Sequence, residues 1–134
     1  DLVLVDYLGI VSADQKSENR QNEVSEITRQ FKAMARELET PFVVLAQLSR
    51  ANASRSDKKP VLTDIRETGN IEAEADVVVF VHRDGYYDST AAQNEGTFIV
   101  AKQRNGPVGE ISVAWNAEMA CYQNKFDTIK ATYK

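Results

Sequence analysis

Asp1-Leu2-Val3-Leu4-Val5-Asp6 opens the chain, and Phe42-Val43-Val44-Leu45-Ala46-Gln47 repeats its pattern further on. Each is a continuous apolar run ended by a polar side chain. Such a run fits a strand buried on both faces, as in a parallel sheet. Between them Val24, Ile27, Phe31, Met34 and Leu38 recur at spacings of three and four, which predicts one apolar helix stripe. Thr40-Pro41 ends that helix, because proline disfavours helical geometry in the residue before it. Strand, helix, strand in this order is a βαβ unit, and the fold class is α/β.

Outward from this unit the pattern changes. Residues 12–20 and 49–60 are polar and read as loops. A short helix is expected after Gly69, within Ile65–Ala75. Val77–Val81 reads as a third buried strand of the same sheet. Residues 84–96 are rich in turn formers. Thr97–Lys102 and Glu110–Trp115 alternate around Asn105-Gly106-Pro107, which predicts an antiparallel hairpin. Ala120–Gln123 completes it as a final strand, and residues 127–134 form a polar tail. The expected order is therefore parallel strands followed by antiparallel hairpin strands, in one domain over residues 1–126. No internal repeat is present.

Length and composition bound the rest. The chain has 134 residues, 43% apolar and 27% charged, which suits an ordinary globular domain. No apolar run reaches the roughly 18 residues of a membrane span. Sixteen basic against 20 acidic residues give a net charge of −4, so nucleic-acid contact is expected only on a local patch. One cysteine, Cys121, excludes an internal disulfide and a cysteine-based metal cluster, and fits a reducing, cytoplasmic setting. One histidine, His82, excludes a His-rich metal site. The chain begins at the margin of a strand, without methionine or signal peptide. It reads as part of something longer, or as a domain completed by another chain.

Ligands of parallel sheets bind beyond the carboxyl ends of the strands. Asp6, Gln47 and His82-Arg83-Asp84 are expected at that edge. A carboxylate such as Asp6 there either holds Mg²⁺ through water beside nucleotide phosphates or caps a loop. An amide such as Gln47 either orients water or senses a phosphate, or is a surface side chain. Arg50, Arg55, Lys58, Lys59 and Arg66 form a basic stretch that either meets DNA phosphates or is simply solvated. Lys102 and Arg104 sit at alternate positions and so point the same way, toward a phosphate or into solvent at a basic hairpin tip. G-x-x-x-x-G-K-[ST] is absent from the sequence, so these residues alone are expected to bind nucleotide poorly.

Five segments, in order, resemble the C-terminal half of the motor domain of DnaB-type replicative DNA helicases. They are Leu4-Val5-Asp6-Tyr7-Leu8, Ala46-Gln47-Leu48-Ser49-Arg50, Asp64-Ile65-Arg66-Glu67-Thr68-Gly69-Asn70-Ile71-Glu72, Ala75-Asp76-Val77 through Arg83-Asp84, and Lys102-Gln103-Arg104-Asn105-Gly106-Pro107-Val108-Gly109. The likeness runs from Asp1 to about Phe126. It implies a RecA-like three-layer sandwich, here a portion that starts at the Walker B strand. The parent would be a hexameric, ATP-dependent helicase that unwinds duplex DNA at the replication fork while translocating on single-stranded DNA. ATP and Mg²⁺ are the implied cofactors.

The resemblance also implies roles. Asp6 resembles the Walker B aspartate that supports Mg²⁺, and Gln47 the residue linking the γ-phosphate to the DNA loops. Arg50 and the segment carrying Arg66, Glu67 and Gly69 resemble parts that touch the single-stranded DNA backbone. Lys102 and Arg104 resemble the pair that reaches into a neighbouring subunit's ATP site. The phosphate loop, the catalytic glutamate and the N-terminal domain that meets primase and loader would lie before Asp1. These 134 residues by themselves are therefore expected to be inactive, and to self-associate through an open strand edge. Gly9 departs from the family, which usually has glutamine there. A non-catalytic remnant or split-gene module that binds a partner chain or single-stranded DNA is the alternative. A RecA-like recombinase or clock-type ATPase is disfavoured by the Asp64–Glu72 and Lys102–Gly109 segments.

Overall fold

The computed structural model describes residues 1–13, 19–49, 55–65 and 71–125. They form two compact units. The first comprises Asp1–Arg55 with Val61–Ala75, and the second Ser56–Pro60 with Asp76–Lys134.

The first unit is the βαβ element. Strand β1 (Val3–Val5) pairs in parallel with β2 (Phe42–Val44), with Val3 opposite Phe42 and Val5 opposite Val44. Helix α1 (Arg20–Glu37) joins them. Asn19 caps it, its side chain accepting from Gln21 N at 2.9 Å. Glu23 in the first turn and Arg36 in the last complement the helix dipole. The helix stops where expected: Glu39 takes a left-handed φ of 48°, and Thr40 N closes onto Ala35 O.

The stripe is buried at its N-terminal half. Val24 and Ile27 pack with Leu8, and Val11, Phe31, Val44 and Ile71 close around them. Burying each such aliphatic side chain contributes roughly 1.5–3 kcal/mol. Met34 and Leu38, at the other end of the stripe, stay exposed. The strands also differ from expectation. They are half-buried rather than buried on both faces: Phe42 and Val44 face the helix side, whereas Leu4 is 63% and Val43 44% exposed. A run of aliphatic residues conceals this difference, because it places apolar groups on both faces whether or not both are covered. A short helix α2 (Ile71–Glu74) follows Gly69, as expected.

The second unit is a four-stranded antiparallel sheet in the order β3 (Val77–His82), β4 (Glu95–Gln103), β5 (Gly109–Asn116), β6 (Cys121–Asn124). The hairpin around Asn105-Gly106 forms as expected, and its register sets Ile99 opposite Glu110 and Phe98 opposite Ile111. Tyr122 packs against both Phe98 and Trp115, with ring centroids 5.0 and 4.8 Å away. The third strand is a correction. Val77–His82 does not join β1 and β2; its strand partner among the described residues is β4, antiparallel. Its burial alternates, with Val78, Phe80 and His82 inside and Val77, Val79 and Val81 outside. Valine at the outward positions makes a half-buried antiparallel strand look like a buried parallel one. No helix among the described residues is long and apolar enough to cross a membrane. The tail, residues 127–134, lies outside the described residues.

Candidate functional site

Two of the expected residues come to one edge. Asp6 directly follows β1, and Gln47 lies three residues beyond β2, both at carboxyl ends of paired parallel strands. Backbone bonds hold this edge together. Leu45 N donates to Val5 O at 2.9 Å, and Leu8 N to Leu45 O at 2.8 Å. Asp6 and Gln47 are both exposed, and the Asp6 carboxylate has no hydrogen-bond or ion-pair partner among the described residues. The Asp6–Tyr7 peptide bond is cis.

The turn after Asp6 is braced from the start of α1. Arg20 donates from one terminal nitrogen to Gly9 O at 2.9 Å and to Val11 O at 3.0 Å, and from the other to Glu23 at 2.7 Å. Glu23 also accepts from Ala13 N at 3.0 Å. The Arg20 guanidinium, aided by that amide, holds the Glu23 carboxyl below the usual carboxylate range. Gly9 has a steric reason. The Tyr7 ring occupies the space where a Cβ at position 9 would sit.

An exposed, unpartnered carboxylate at a parallel strand end fits a hard divalent cation. Among the described residues no group of three or more His, Cys, Asp or Glu could hold a metal. Asp6 would therefore be one protein ligand, with water and phosphate oxygens supplying the others, which is how Mg²⁺ is commonly held.

The basic stretch proves heterogeneous. Arg55 is engaged in a bidentate pair with Asp64, at 2.9 Å for each bond. Lys59 is engaged with Glu110 at 2.7 and 2.9 Å. Arg50, Arg66, Glu67 and Gly69 lie outside the described residues. Lys102 and Arg104 belong to the second unit. Lys102 is the penultimate residue of β4 and half-buried; Arg104 follows the strand, exposed, and pairs with Asp76 at 3.4 Å.

His82-Arg83-Asp84 ends β3, a strand of the antiparallel sheet and not of the parallel pair, contrary to expectation. His82 is buried, its Nε2 is 2.9 Å from an Asp84 oxygen, and its ring stacks on Tyr87. The Arg83 guanidinium lies 4.2 Å from the Trp115 ring centroid, with its Nε buried and unpaired among the described residues. Sequence reasoning missed this stack and the Arg55–Asp64 pair. Both join residues distant in sequence, and only strand register or a folded loop reveals them.

A family model described as the DnaB-like helicase C terminal domain matches residues 1–124. The chain belongs to this family. It is 47% identical to the replicative DNA helicase DnaC of Bacillus subtilis (strain 168), with 98% of this chain covered. It is 46% identical to the replicative DNA helicase DnaB of Geobacillus stearothermophilus, again over 98% of the chain. It spans 29% of the length of each of these relatives. Among solved structures, one described as an ATPase domain superposes with a TM-score of 0.88 at 41% identity, covering 92% of this chain and 44% of that one. A DnaB-like replicative helicase described with its primase interactions gives the same TM-score and identity, with 30% of that chain covered. The RecA-like α/β class is thereby shown for this member of the DnaB-like family.

Proposed function

We propose that this chain is the C-terminal part of the motor domain of a hexameric, ATP-driven replicative DNA helicase. The observation that carries the reading is the shared carboxyl edge of β1 and β2, with an exposed Gln47 and an Asp6 that has no partner among the described residues. ATP with Mg²⁺ would supply the phosphoryl chemistry. Asp6 would hold the cation through its water shell, and Gln47 would sense the terminal phosphate through its amide. Arg50 and the Arg66–Gly69 segment would grip single-stranded DNA through its phosphates, which gives little sequence preference. Lys102 and Arg104 would act on a neighbouring subunit's nucleotide. Primase and loader would meet the N-terminal domain of the full-length protein.

Residues 1–134 by themselves are expected to hydrolyse no ATP, since they contain no G-x-x-x-x-G-K-[ST]. The test is Asp6→Asn and Gln47→Ala in the full-length protein. Asp6→Asn should abolish Mg²⁺-dependent turnover. Gln47→Ala should keep nucleotide binding and lose stimulation by single-stranded DNA. Wild-type turnover in Asp6→Asn would overthrow the nucleotide role. A full-length protein with no ATPase at all would favour a module that only binds DNA or a partner chain.

A further inference from the structure

Asp64 and His82 are the buried polar residues among those described, and Asp64 is 3% exposed. Its carboxylate accepts three hydrogen bonds from chain groups. One oxygen accepts from Arg55 at 2.9 Å; the other accepts from Arg55 at 2.9 Å and from Val61 N at 2.8 Å. Its carbonyl accepts from Ser49 N at 3.2 Å. The residue also sits in a tight turn, with Asp64 N on Val61 O and Ile65 N on Leu62 O, and Ile65 is itself buried.

The placement of these bonds along the chain is what matters. Residues 50–54 begin after Ser49 and end before Arg55. Both flanking residues are fastened to Asp64, one through its carbonyl and one through its carboxylate. Arg66 follows two residues after Asp64. One residue thus holds both chain neighbours of residues 50–54 and itself lies two positions before Arg66, and these are the two stretches to which the proposed function gives DNA contacts. Fixing the ends of a short stretch removes conformations it would otherwise lose on binding. Gln47 lies two residues before Ser49, so the same bond leads back to the nucleotide edge.

Stability alone does not account for this pair, in which the Asp64 carboxylate is buried while the Arg55 side chain is 36% exposed. An ion pair open to solvent on one side contributes little, and replacing a buried one with apolar residues of like volume is often neutral or stabilising. What a bidentate arginine–carboxylate fork adds is fixed geometry. We propose that Asp64, clamped by Arg55, is a positioning residue for single-stranded DNA binding: it fastens Ser49 and Arg55, the chain neighbours of residues 50–54, to one point that lies two positions before Arg66 in the chain. This rests on the DNA reading above. Asp64 itself does not touch DNA.

The experiment uses the full-length protein with a slowly hydrolysed ATP analogue and a fluorescein-labelled oligo-dT. Anisotropy gives affinity across a salt series, a fluorescent nucleotide reports the ATP site, and thermal melting reports folding. Asp64→Ala, Asp64→Asn, Arg55→Lys and Arg66→Ala are compared. Asp64→Ala removes a negative charge, so electrostatics alone would tighten DNA binding. Lost positioning should instead weaken it about tenfold, as losing a charge-assisted bond that orders a binding segment would. The salt slope should become shallower by about 0.7 for each DNA phosphate the protein no longer neutralises.

Arg55→Lys keeps the charge and breaks the fork, so it should weaken binding as well. Asp64→Asn keeps one acceptor oxygen for Val61 N and one Arg55 bond but loses the fork, because its amide nitrogen donates, so it should weaken binding as well, though less than Asp64→Ala. Nucleotide affinity should not move in any of them. Binding as tight as wild type, or tighter, in folded Asp64→Ala overturns the inference. If Asp64→Ala does not fold, unchanged affinity and slope in Arg55→Lys overturns it. If Arg66→Ala binds normally, the DNA reading fails and takes the inference with it. If Arg66→Ala weakens binding while Arg55→Lys and Asp64→Ala do not, only the anchor is wrong.

Discussion

Replacing Arg104 by alanine should separate folding from turnover by a wide margin if this residue serves a neighbour's nucleotide. In the structure Arg104 sits just past β4 and pairs with Asp76 at 3.4 Å, with side-chain exposures of 47% and 53%. A half-exposed pair of this kind contributes only about 0–1 kcal/mol. The backbone bond from Arg104 N to Asp76 O, 3.0 Å, survives the substitution and keeps the strand end in place. Arg104→Ala should therefore melt close to wild type. If Arg104 stabilises transition-state charge on a neighbour's nucleotide, its loss should lower turnover by about 10³- to 10⁵-fold. That equals roughly 4–7 kcal/mol of barrier, several times the folding cost.

The assay is phosphate release by the full-length protein on single-stranded DNA, alongside nucleotide binding and a melting curve. Co-assembly adds a second arm. An Asp6→Asn subunit keeps Arg104, and an Arg104→Ala subunit keeps Asp6. If the arginine acts across a head-to-tail interface, mixing the two inactive variants equally should rebuild about a quarter of the sites. Restored turnover in the mixture is the expected result. Normal turnover in Arg104→Ala alone would refute the role. Two inactive variants that stay inactive when mixed would refute action across the interface.

Three further outcomes are expected. Ile27→Ala should cost about 2–5 kcal/mol in urea unfolding, since Ile27 is 2% exposed between Leu8 and Val24; a loss under 1 kcal/mol, read on the ~1 kcal/mol scale of an ordinary substitution, would mean the core under α1 collapses to fill the space. Burial alone would raise the Asp64 carboxyl, but the hydrogen bonds and charge of Arg55 and the Val61 amide outweigh it and hold the group below the ordinary carboxylate range. A depressed acid stabilises the fold fully above about pH 5 and drains away below about pH 4, so Asp64→Asn should flatten the acid limb of the stability curve; an unchanged limb would place the acid sensitivity elsewhere. Residues 1–134 expressed alone should self-associate in light scattering, because Leu4 and Val43 on one sheet and Val79 and Val81 on the other leave apolar faces exposed; a clean monomer at high concentration would contradict this.

Local chemistry was legible wherever a short stretch decides it. The spacing of Val24, Ile27 and Phe31 announced α1, and Asn105-Gly106-Pro107 announced the β4–β5 hairpin, because helix periodicity and turn geometry act over a few residues. The positions of Asp6 and Gln47 followed from the same logic, since a polar residue that ends an apolar strand must sit at the strand's carboxyl end. The family, too, was legible, carried by five ordered segments. Long-range decisions were not. Whether Val77–His82 joins β1 and β2 or pairs with β4 depends on which edge is filled, and a valine-rich run suits either. Arg55 suited either a DNA phosphate or solvent by sequence, and the fold sets it against Asp64 instead. Arg83 showed its contact only once the sheet register carried Trp115 beneath it. Sequence by itself determined what each residue prefers to do with its neighbours in the chain. Tertiary structure alone decided which distant partner removes it from water, and in this protein that choice commits Arg55 and Lys59 to carboxylates of the fold itself.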